Sequence, residues 1–406
     1  MSHELFKRTN GFNPPSRLKD TESDPFRFAA VSLTIFGVHI GDTNLQGVSM
    51  LGKIRHTASS VATVLMVWIF FVQHATAYMH GLSGWVYVKW LAAAVTAVLT
   101  ATVVMIRGTK IKHVAGFYRT NFLPWKSKQK TITRVTSTAT ILTVWAFVLV
   151  YCIDFALNHI REDQKIFIYF LSPTVNESFV RNWDPMAEGF LRVDAVLRWF
   201  FILGPTCFAI FLYTFMTQLA TGNMQHLTQY INTLKHADHD DPPEVVRQVR
   251  DLYFHQASSA HELDHIFSGL VLLWYLMCTV FTFANIRGAM LGEFPPGPFG
   301  RSVLTFLFEL FPLYCVYYGI TMAGAGFHDA TLEVLTQYEA LMAMLGKRYQ
   351  LQHTSYFLAH MCVSSMGLNP PKLTVCRLFT IKRLLLAVLI LFFMFFVLLS
   401  ARIQGT

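Results

Sequence analysis

Charged side chains are scarce in this sequence. They make up 14% of its 406 residues, whereas hydrophobic residues reach 53% and aromatic residues 15%. A soluble domain needs a charged surface, so this composition is typical of an integral membrane protein. The formal net charge is +9, but most Lys and Arg flank apolar stretches and no basic run is interleaved with aromatic residues. We therefore expect a lipid bilayer as the surroundings and no nucleic acid as a partner.

Regularly spaced cysteines and a signal peptide are absent as well. The six Cys lie in or beside apolar segments without C-x-x-C spacing. A disulfide framework is therefore not indicated, and buried thiols are the simpler interpretation. The first 27 residues contain five Lys or Arg but no apolar run of the kind that follows them in a signal peptide. We expect no cleaved signal.

Long apolar runs are what the chain has instead. A helix needs about 20 apolar residues to cross the hydrocarbon core, because its backbone amides find no other partners there. Seven segments qualify, and a shorter one, 28–40, is predicted to be re-entrant or packed. The seven predicted crossings are residues 57–79, 85–106, 135–157, 196–220, 266–286, 302–322 and 378–401.

Lysines and arginines in the connections predict the orientation. Connections on one side of the membrane carry 24 of them, and those on the other side carry 7. The positive-inside rule places the richer side, with the amino terminus, in the cytoplasm and the carboxyl terminus outside. The N-x-S/T sequon at Asn176 falls in the connection 158–195, which this orientation makes extracellular. Asn176 is therefore a predicted glycosylation site.

The sequence also predicts helices that extend beyond the membrane. No charged residue occurs from Trp199 to Leu234, and apolar residues recur at helical spacing in 329–352. Such faces need a partner, and further copies of the chain are the economical one. We predict a cytoplasmic amino-terminal region, 1–56; a six-helix ligand-binding domain, 57–322, with a cytoplasmic extension, 221–265; a cytoplasmic amphipathic connection, 323–377; and a seventh helix, 378–406.

Ionisable residues inside predicted crossings mark a candidate ligand site, because burying a charge in lipid is costly. Four such residues fall in the predicted outer half, among aromatic side chains, and an apolar hollow with few polar groups suits a small molecule. The predicted ligand-binding residues are Trp85, Lys89, Trp90, Tyr151, Asp154, Arg198, Trp199, Phe281, Glu309 and Tyr314. Alternatively, Lys89 pairs with Asp154 and Arg198 with Glu309, and the tryptophans form an interfacial belt.

Two prolines bear on the same region. "LGP" at 203–205 and "FP" at 311–312 lie inside the fourth and sixth predicted crossings. Proline removes a helical hydrogen bond and kinks a helix, so these positions are expected to help open a cavity between the two crossings.

His261-Glu262-x-x-His265 is a candidate of another class. On a helix this pattern sets two imidazoles on one face for zinc and supplies a general base, so a membrane-bound zinc hydrolase is an alternative function. A catalytic zinc needs a third protein ligand, and no recognisable third-ligand motif lies nearby. The motif also falls at the cytoplasmic edge of the fifth crossing, where such residues are solvated without metal. We predict no metal, no cofactor and no enzymatic activity.

A secondary transporter is a further alternative. That class predicts an internal repeat and broken helices at matched positions of two halves. Seven crossings do not divide in that way, and no repeat is visible in the sequence.

The carboxyl-terminal sequence resembles a known family. "LTVCRLFTIKRLLLAVLILFFMFFVLLSARIQ", residues 373–404, resembles the last helix of arthropod gustatory receptors. Their signature runs from small-Cys-Gly-Leu-Phe through a Leu-rich stretch to Thr-Tyr, five hydrophobic residues and Gln-Phe. Leu378-Phe379 fit its start, while Phe395-Phe396 replace Thr-Tyr and Arg402-Ile403 replace Gln-Phe. The stretch 252–286 is similar to the helix leading into the family's fifth crossing, so the chain resembles a divergent member.

This resemblance implies a chemosensory, ligand-gated, non-selective cation channel. It implies a tetramer, of identical chains or with related subunits, in the plasma membrane of sensory neurons. A small molecule would bind in the outer half of helices two to six and open a central pore lined by the seventh helices. The implied pore residues are Phe395, Phe396, Leu398, Leu399, Arg402 and Ile403. Two alternatives stay open: 384–401 can face lipid, and Arg402 can reach the outer interface instead of the pore.

Overall fold

A computed structural model of the protein describes most of the predicted crossings. The described residues are 50–80, 85–121, 127–158, 185–236, 242–290, 299–349 and 370–385, with single positions 32, 35, 166, 361, 364, 391 and 394. They form α1 (Met50–Met79), α2 (Trp85–Ile106), α3 (Gly108–Asn121), α4 (Ser127–Asn158), α5 (Pro185–His236), α6 (Pro242–Met290), α7 (Phe299–Tyr349), β1 (Thr374–Val375) and β2 (Phe379–Thr380). The predicted all-α class is confirmed.

Several helices are apolar enough to cross a membrane. Among the described residues, four stretches have the required length and hydropathy, and they fall in α1, α2, α5 and α6, which contain the first, second, fourth and fifth predicted crossings. A shorter apolar stretch, Thr138–Asp154, lies in the third. The sixth, 302–322, lies within α7. Most of the seventh, 378–401, lies outside the described residues.

The three longest helices extend well past a bilayer. α5, α6 and α7 contain 52, 49 and 51 residues, so each is roughly 75 Å long at 1.5 Å per residue. The hydrocarbon core is only about 30 Å thick. α5 continues without a break through the uncharged run 199–234 and ends on Lys235 and His236, which suit the negative end of a helix dipole. α7 also passes uninterrupted through the predicted region boundary at 322–323.

Two hydrophobic clusters form the core. The first core cluster lies among α1, α2, α4, the first half of α5 and one position of α6, and it includes Val67, Phe70, Trp90, Trp199 and Phe281. The second core cluster lies among α3, α5, α6 and α7, and it includes Phe208, Phe267, Trp274, Phe327 and Tyr338. Four partly buried side chains pack against both clusters and so define a seam between them: Val144, Phe200, Met277 and Leu313.

The predicted packed segment 28–40 lies mostly outside the described residues. One of its members, Ser32, is buried, and its hydroxyl accepts a hydrogen bond from the indole of Trp145 on α4 at 2.9 Å. That contact favours packing of this position against the bundle.

A small antiparallel hairpin forms where the seventh crossing was predicted to begin, so residues 378–380 are turn and strand rather than helix. β1 pairs with β2 in the register Thr374 with Thr380 and Val375 with Phe379. The Leu378 amide donates to the Val375 carbonyl at 2.9 Å, while Cys376 and Arg377 between them have φ of 49° and 60°. Two successive positive φ values are those of a type I′ turn, which matches the twist of a hairpin.

Candidate functional site

A cavity lies at the seam between the two core clusters. Its volume is about 60 Å³, and α2, α4, α5, α6 and α7 all contribute to its wall. Met277 and Leu313, which pack against both clusters, face it. The lining residues are Ala93, Phe147, Tyr151, Ile202, Leu203, Thr206, Cys207, Ile210, Met277, Phe281, Leu313 and Val316.

The lining is almost wholly apolar. None of the described lining residues is Lys, Arg, Asp, Glu or His. The Thr206 hydroxyl, one of its few polar groups, donates to the Ile202 carbonyl of its own helix at 3.4 Å. An uncharged, mainly apolar molecule can enter such a hollow without stripping water from a charge, whereas an ion or a sugar would leave polar groups unpaired.

Only part of the predicted ligand set faces this cavity. Tyr151 and Phe281 line it. Trp199 lies behind Tyr151, with ring centroids 6.3 Å apart, and Trp90 packs edge-on against Trp199 at 5.6 Å. Tyr314 is 52% exposed and is not a lining residue. The side chains of Trp85 and Glu309 lie outside the described residues, and Asp154, half-buried, is not among the lining residues.

The two predicted basic residues are buried but do not line the cavity. Lys89 is 5% exposed, and its ammonium donates to Asn285 Oδ1 at 2.9 Å. Arg198 is 1% exposed and forms an ion pair with Asp194 one turn earlier on α5. A buried charge needs such a partner to offset its lost hydration. The structure thus gives both charges partners that the sequence interpretation did not name.

Ten of the twelve lining residues were missed at the sequence level. Most are ordinary apolar residues in the middle of crossings, and nothing in their type separates a cavity wall from a core or a lipid face. One usable signal was present. Leu203 and Thr206 flank Pro205, and Leu313 follows Pro312, so the wall lies beside both prolines that were expected to open a cavity. Asp194 was also detectable, because its spacing from Arg198 is the i,i+4 of a helical ion pair.

The HELDH stretch, 261–265, lies on α6 before Met277 of the cavity wall, and it contacts different neighbours. Glu262 Oε2 lies 3.1 Å from His113 Nδ1 on α3. The Asp264 carboxylate accepts hydrogen bonds from Thr374, at the start of the hairpin. Arg107 donates to the carbonyl oxygens of His265 and Ile266, both at 2.6 Å. These contacts join α6 to the α2–α3 corner and to the hairpin.

Glu262, Asp264 and the backbone of this turn are engaged by neighbouring elements of the chain. In the part of the chain that the structure describes, no group of three His, Cys, Asp or Glu side chains is placed to hold a metal ion. Glu262, the general base of a zinc site, instead faces His113. Residues of this turn therefore bind neighbouring elements of the same chain.

The remaining predicted site residues cannot be placed. Phe395, Phe396, Leu398, Leu399, Arg402 and Ile403 lie outside the described residues, and so does Asn176. Of the seventh crossing, the described residues beyond the hairpin include Leu384, Leu391 and Met394, all exposed in the single chain.

Comparison with known proteins identifies the fold. No protein-family model matches the sequence, and no curated protein matches it either. Among solved structures, the insect olfactory receptor OR5 from Machilis hrabei matches with a TM-score of 0.64 and 9% sequence identity, over 92% of this chain and 97% of the receptor. The same receptor in complex with eugenol matches with a TM-score of 0.67 at 9% identity, over 93% and 97% of the two chains.

Nearly the whole chain is therefore superposable on a receptor of this kind despite the low identity. The matching structures are receptors and not enzymes. At the level of the fold, they confirm the resemblance that the carboxyl-terminal residues indicated. The chain has the fold of the insect olfactory receptor OR5.

Proposed function

We propose that the protein is a subunit of a chemosensory, ligand-gated, non-selective cation channel. The observation that carries this proposal is an apolar cavity enclosed by five helices within a chain that has the olfactory receptor fold. A small molecule in the cavity would favour one arrangement of these helices, and it can shift gating only by its difference in affinity between closed and open states.

The cavity chemistry favours a neutral, apolar ligand of single-ring size. Its volume of about 60 Å³ is below the roughly 150 Å³ of an engineered apolar cavity that binds benzene. A ring can therefore enter only if α5, α6 and α7 move apart or their side chains rotate. Where the helices move apart, binding is linked to a change in helix packing, which is what a ligand-gated channel requires. Eugenol, a neutral single-ring molecule bound by the matching receptor, belongs in the first ligand panel.

The wider arrangement follows the orientation and assembly predicted from sequence. The amino terminus lies in the cytoplasm, Asn176 is glycosylated outside, and four identical or related chains surround a pore lined by 378–401. The protein spans the plasma membrane of sensory neurons several times. Cations pass the pore, and Phe395, Phe396, Leu398, Leu399, Arg402 and Ile403 form its narrow part. Lys89 joins α2 to α6 through Asn285, and Arg198 is neutralised by Asp194 within α5.

Expression in a cell line without chemosensory channels tests the proposal. Patch recording against a panel of neutral single-ring compounds, sugars and charged amino acids should give cation currents with members of the first class. Surface-labelled tetramers that never conduct would contradict the channel function. Currents evoked only by sugars or amino acids would contradict the ligand class.

A cavity-filling variant tests the location of the ligand. Ala93 lines the cavity, and the adjacent Ala92 does not. Ala93→Leu should abolish the ligand-evoked current at normal surface expression, because the added atoms occupy the hollow. Ala92→Leu is the matched control and should respond as the wild type does. Equal responses from both variants would place the ligand elsewhere.

Arg402→Gln tests the pore assignment, because it restores the residue usual in the family. If Arg402 faces the pore, removal of its charge should raise cation conductance. An unchanged conductance and reversal potential would show that Arg402 lies at the interface instead.

A further inference from the structure

The hairpin at the start of the seventh crossing is held to α6 by hydrogen bonds to the Asp264 carboxylate and to the Ser268 carbonyl. The Thr374 amide donates to Asp264 Oδ1 at 2.6 Å, and the Thr374 hydroxyl lies 3.0 Å from both carboxylate oxygens. One helical turn further along α6, the Ser268 carbonyl accepts the Cys376 amide at 2.9 Å. Hydrogen bonds to a charged acceptor are roughly twice as strong as neutral ones, so the Asp264 bonds are the strongest polar link between hairpin and helix.

Apolar contacts seat the same hairpin. Leu373, Val375 and Ile381 are at most 1% exposed and belong to the second core cluster. Ile381 lies so close to α7 that a Cβ built on Gly324 would come within 2.8 Å of its Cγ2 atom. The hairpin thus has a polar attachment on α6 and an apolar seat on α7, and it has little freedom to slide against either.

A further contact, on the surface, is weaker. Arg383 forms an ion pair with Asp329 at 2.9 Å, but their side chains are 69% and 50% exposed. Exposed pairs of this kind contribute little because water and salt screen them. The Asp264 carboxylate is half-buried and is therefore the better candidate for a specific link.

α6 connects this attachment directly to the cavity. Met277 and Phe281 line the cavity, and Asp264 lies 13 and 17 residues before them on the same uninterrupted helix. At 1.5 Å per residue this is roughly 20 to 25 Å of continuous helix. A displacement of α6 at the cavity therefore moves Asp264, and with it the chain segment that begins the seventh crossing.

We propose that Asp264 is the positioning residue that couples the cavity wall to the seventh crossing, by holding Thr374 of the hairpin to α6. This inference rests on the proposed channel function for its biological meaning. The mechanical coupling itself concerns only α6 and the hairpin, so it can be tested without a ligand and without current.

Hydrogen exchange on the purified full-length protein in lipid nanodiscs tests the attachment. Asp264→Ala should accelerate exchange of the Thr374 and Cys376 amides by about tenfold, because the hydrogen bonds to the charged acceptor are lost. Thr374→Val, which keeps the amide donor, should give a smaller acceleration, and Thr374→Ser should restore the wild-type rate. Asp251→Ala, at an exposed position of the same helix, is the matched control. Less than a twofold change in Asp264→Ala and Thr374→Val alike would overturn the proposal.

A double-variant cycle tests the coupling itself. Ala93→Leu fills the cavity and should alter exchange of residues 373–381 when Asp264 is present. In the Asp264→Ala background the same substitution should leave hairpin exchange unchanged, which is the non-additivity expected of coupled positions. An equal effect in both backgrounds would show that Asp264 does not transmit the change, even if Asp264→Ala loosens the hairpin.

Current recordings separate this proposal from the proposed function. If the wild type conducts no current with any ligand while the exchange cycle is non-additive, the channel function fails and the coupling stands. If the wild type responds to eugenol and Asp264→Ala shows an unchanged half-maximal concentration and maximal current at equal surface expression, the coupling fails and the channel function stands. A rise of about fivefold or more in the half-maximal concentration is the expected result.

Discussion

The cavity and the hairpin junction involve two regions of one helix, α6, that differ in their contacts. At the cavity, α6 contributes Met277 and Phe281 to an apolar wall with few directional bonds. At the junction, the same helix contributes Asp264 and Ser268, which fix the hairpin through bonds of 2.6 to 3.0 Å. Apolar walls tolerate changes of shape, whereas directional bonds define one geometry. An adaptable region and a specified region on one continuous helix suit the proposed function, in which different ligands must produce the same movement.

The closeness of packing also distinguishes the cavity from the hairpin junction. The cavity leaves about 60 Å³ empty. At the junction the packing is so close that Gly324 has no space for a Cβ beside Ile381. We therefore expect the two regions to respond in opposite ways to added and removed atoms.

Removal of the Phe281 ring should have the largest effect on stability. Phe281 is 8% exposed and packs in the first core cluster, so Phe281→Ala should cost about 3 kcal/mol through lost burial and an enlarged cavity. Toluene should recover part of this loss by filling the space. Thermal unfolding in nanodiscs measures both. Leu276→Ala, on the same helix but 53% exposed, is the control, and an equal loss there would break the contrast.

Addition of a methyl group at Gly324 should be the next largest effect. The new Cβ would lie 2.8 Å from Ile381 Cγ2, so Gly324→Ala should cost about 1 to 3 kcal/mol as the hairpin shifts. At Gly326, two residues along, a Cβ meets nothing within 4 Å. Gly326→Ala should instead stabilise α7 by about 0.5 to 1 kcal/mol through its higher helix propensity. Unfolding temperatures that fall together would show that the junction is not closely fitted.

Glycine in the hairpin turn should have a moderate, favourable effect. Arg377 has a φ of 60°, a region that costs residues with a Cβ roughly 1 kcal/mol. The gustatory receptor signature has Gly at this place. Arg377→Gly should therefore stabilise the hairpin by about 1 kcal/mol, measured as slower exchange of residues 373–381. Arg377→Ala removes the same charge but keeps the strain, and a similar gain there would attribute the effect to charge.

Acidification should have the smallest effect, and at the junction it acts through His328. Burial lowers the pKa of His328 below 6.5; Lys382 and Lys372 add to the decrease, and Asp329 opposes it. The folded state therefore disfavours the charged imidazole, so this contribution to stability is full above pH 6.5 and is lost as the pH falls through the folded-state pKa. After correction for the slower intrinsic exchange at lower pH, the hairpin amides should lose protection modestly below pH 6.5. His328→Gln should remove that loss, and its persistence would assign it to another group.

The sequence was sufficient for the class of the protein but not for its cavity. Apolar runs of about 20 residues form helices in a membrane, because a helix satisfies its backbone hydrogen bonds within the segment. The uncharged run 199–234 likewise predicted a helix longer than a bilayer, and α5 has that length. The cavity wall could not be predicted in the same way. Ile202, Ile210 and Val316 are of the same type as core residues, and only the packing of the helices leaves an empty space beside them.

Charged residues in the crossings show a second limit of what the sequence can predict. Lys89 and Arg198 were recognised as unusual, because a charged side chain in a membrane crossing is costly to bury. The partner of Lys89 was decided by three-dimensional placement, because Asn285 lies 196 residues away in the sequence. Asp194, the partner of Arg198, lies only one helical turn away. The neighbours of HELDH were likewise beyond the sequence, since a motif specifies residue types and spacing but not what lies opposite them.

What the sequence by itself determined is therefore the membrane setting, the helices and the resemblance of the last segment, because these depend on local hydrophobicity and short patterns. What only the tertiary structure decided is where helices meet. Packing of five helices leaves a hollow at the seam of two clusters, and the return of the chain to α6 places Thr374 against Asp264, 110 residues earlier. Both depend on long-range contacts, whose geometry is set by the fit of whole surfaces rather than by any single stretch of residues.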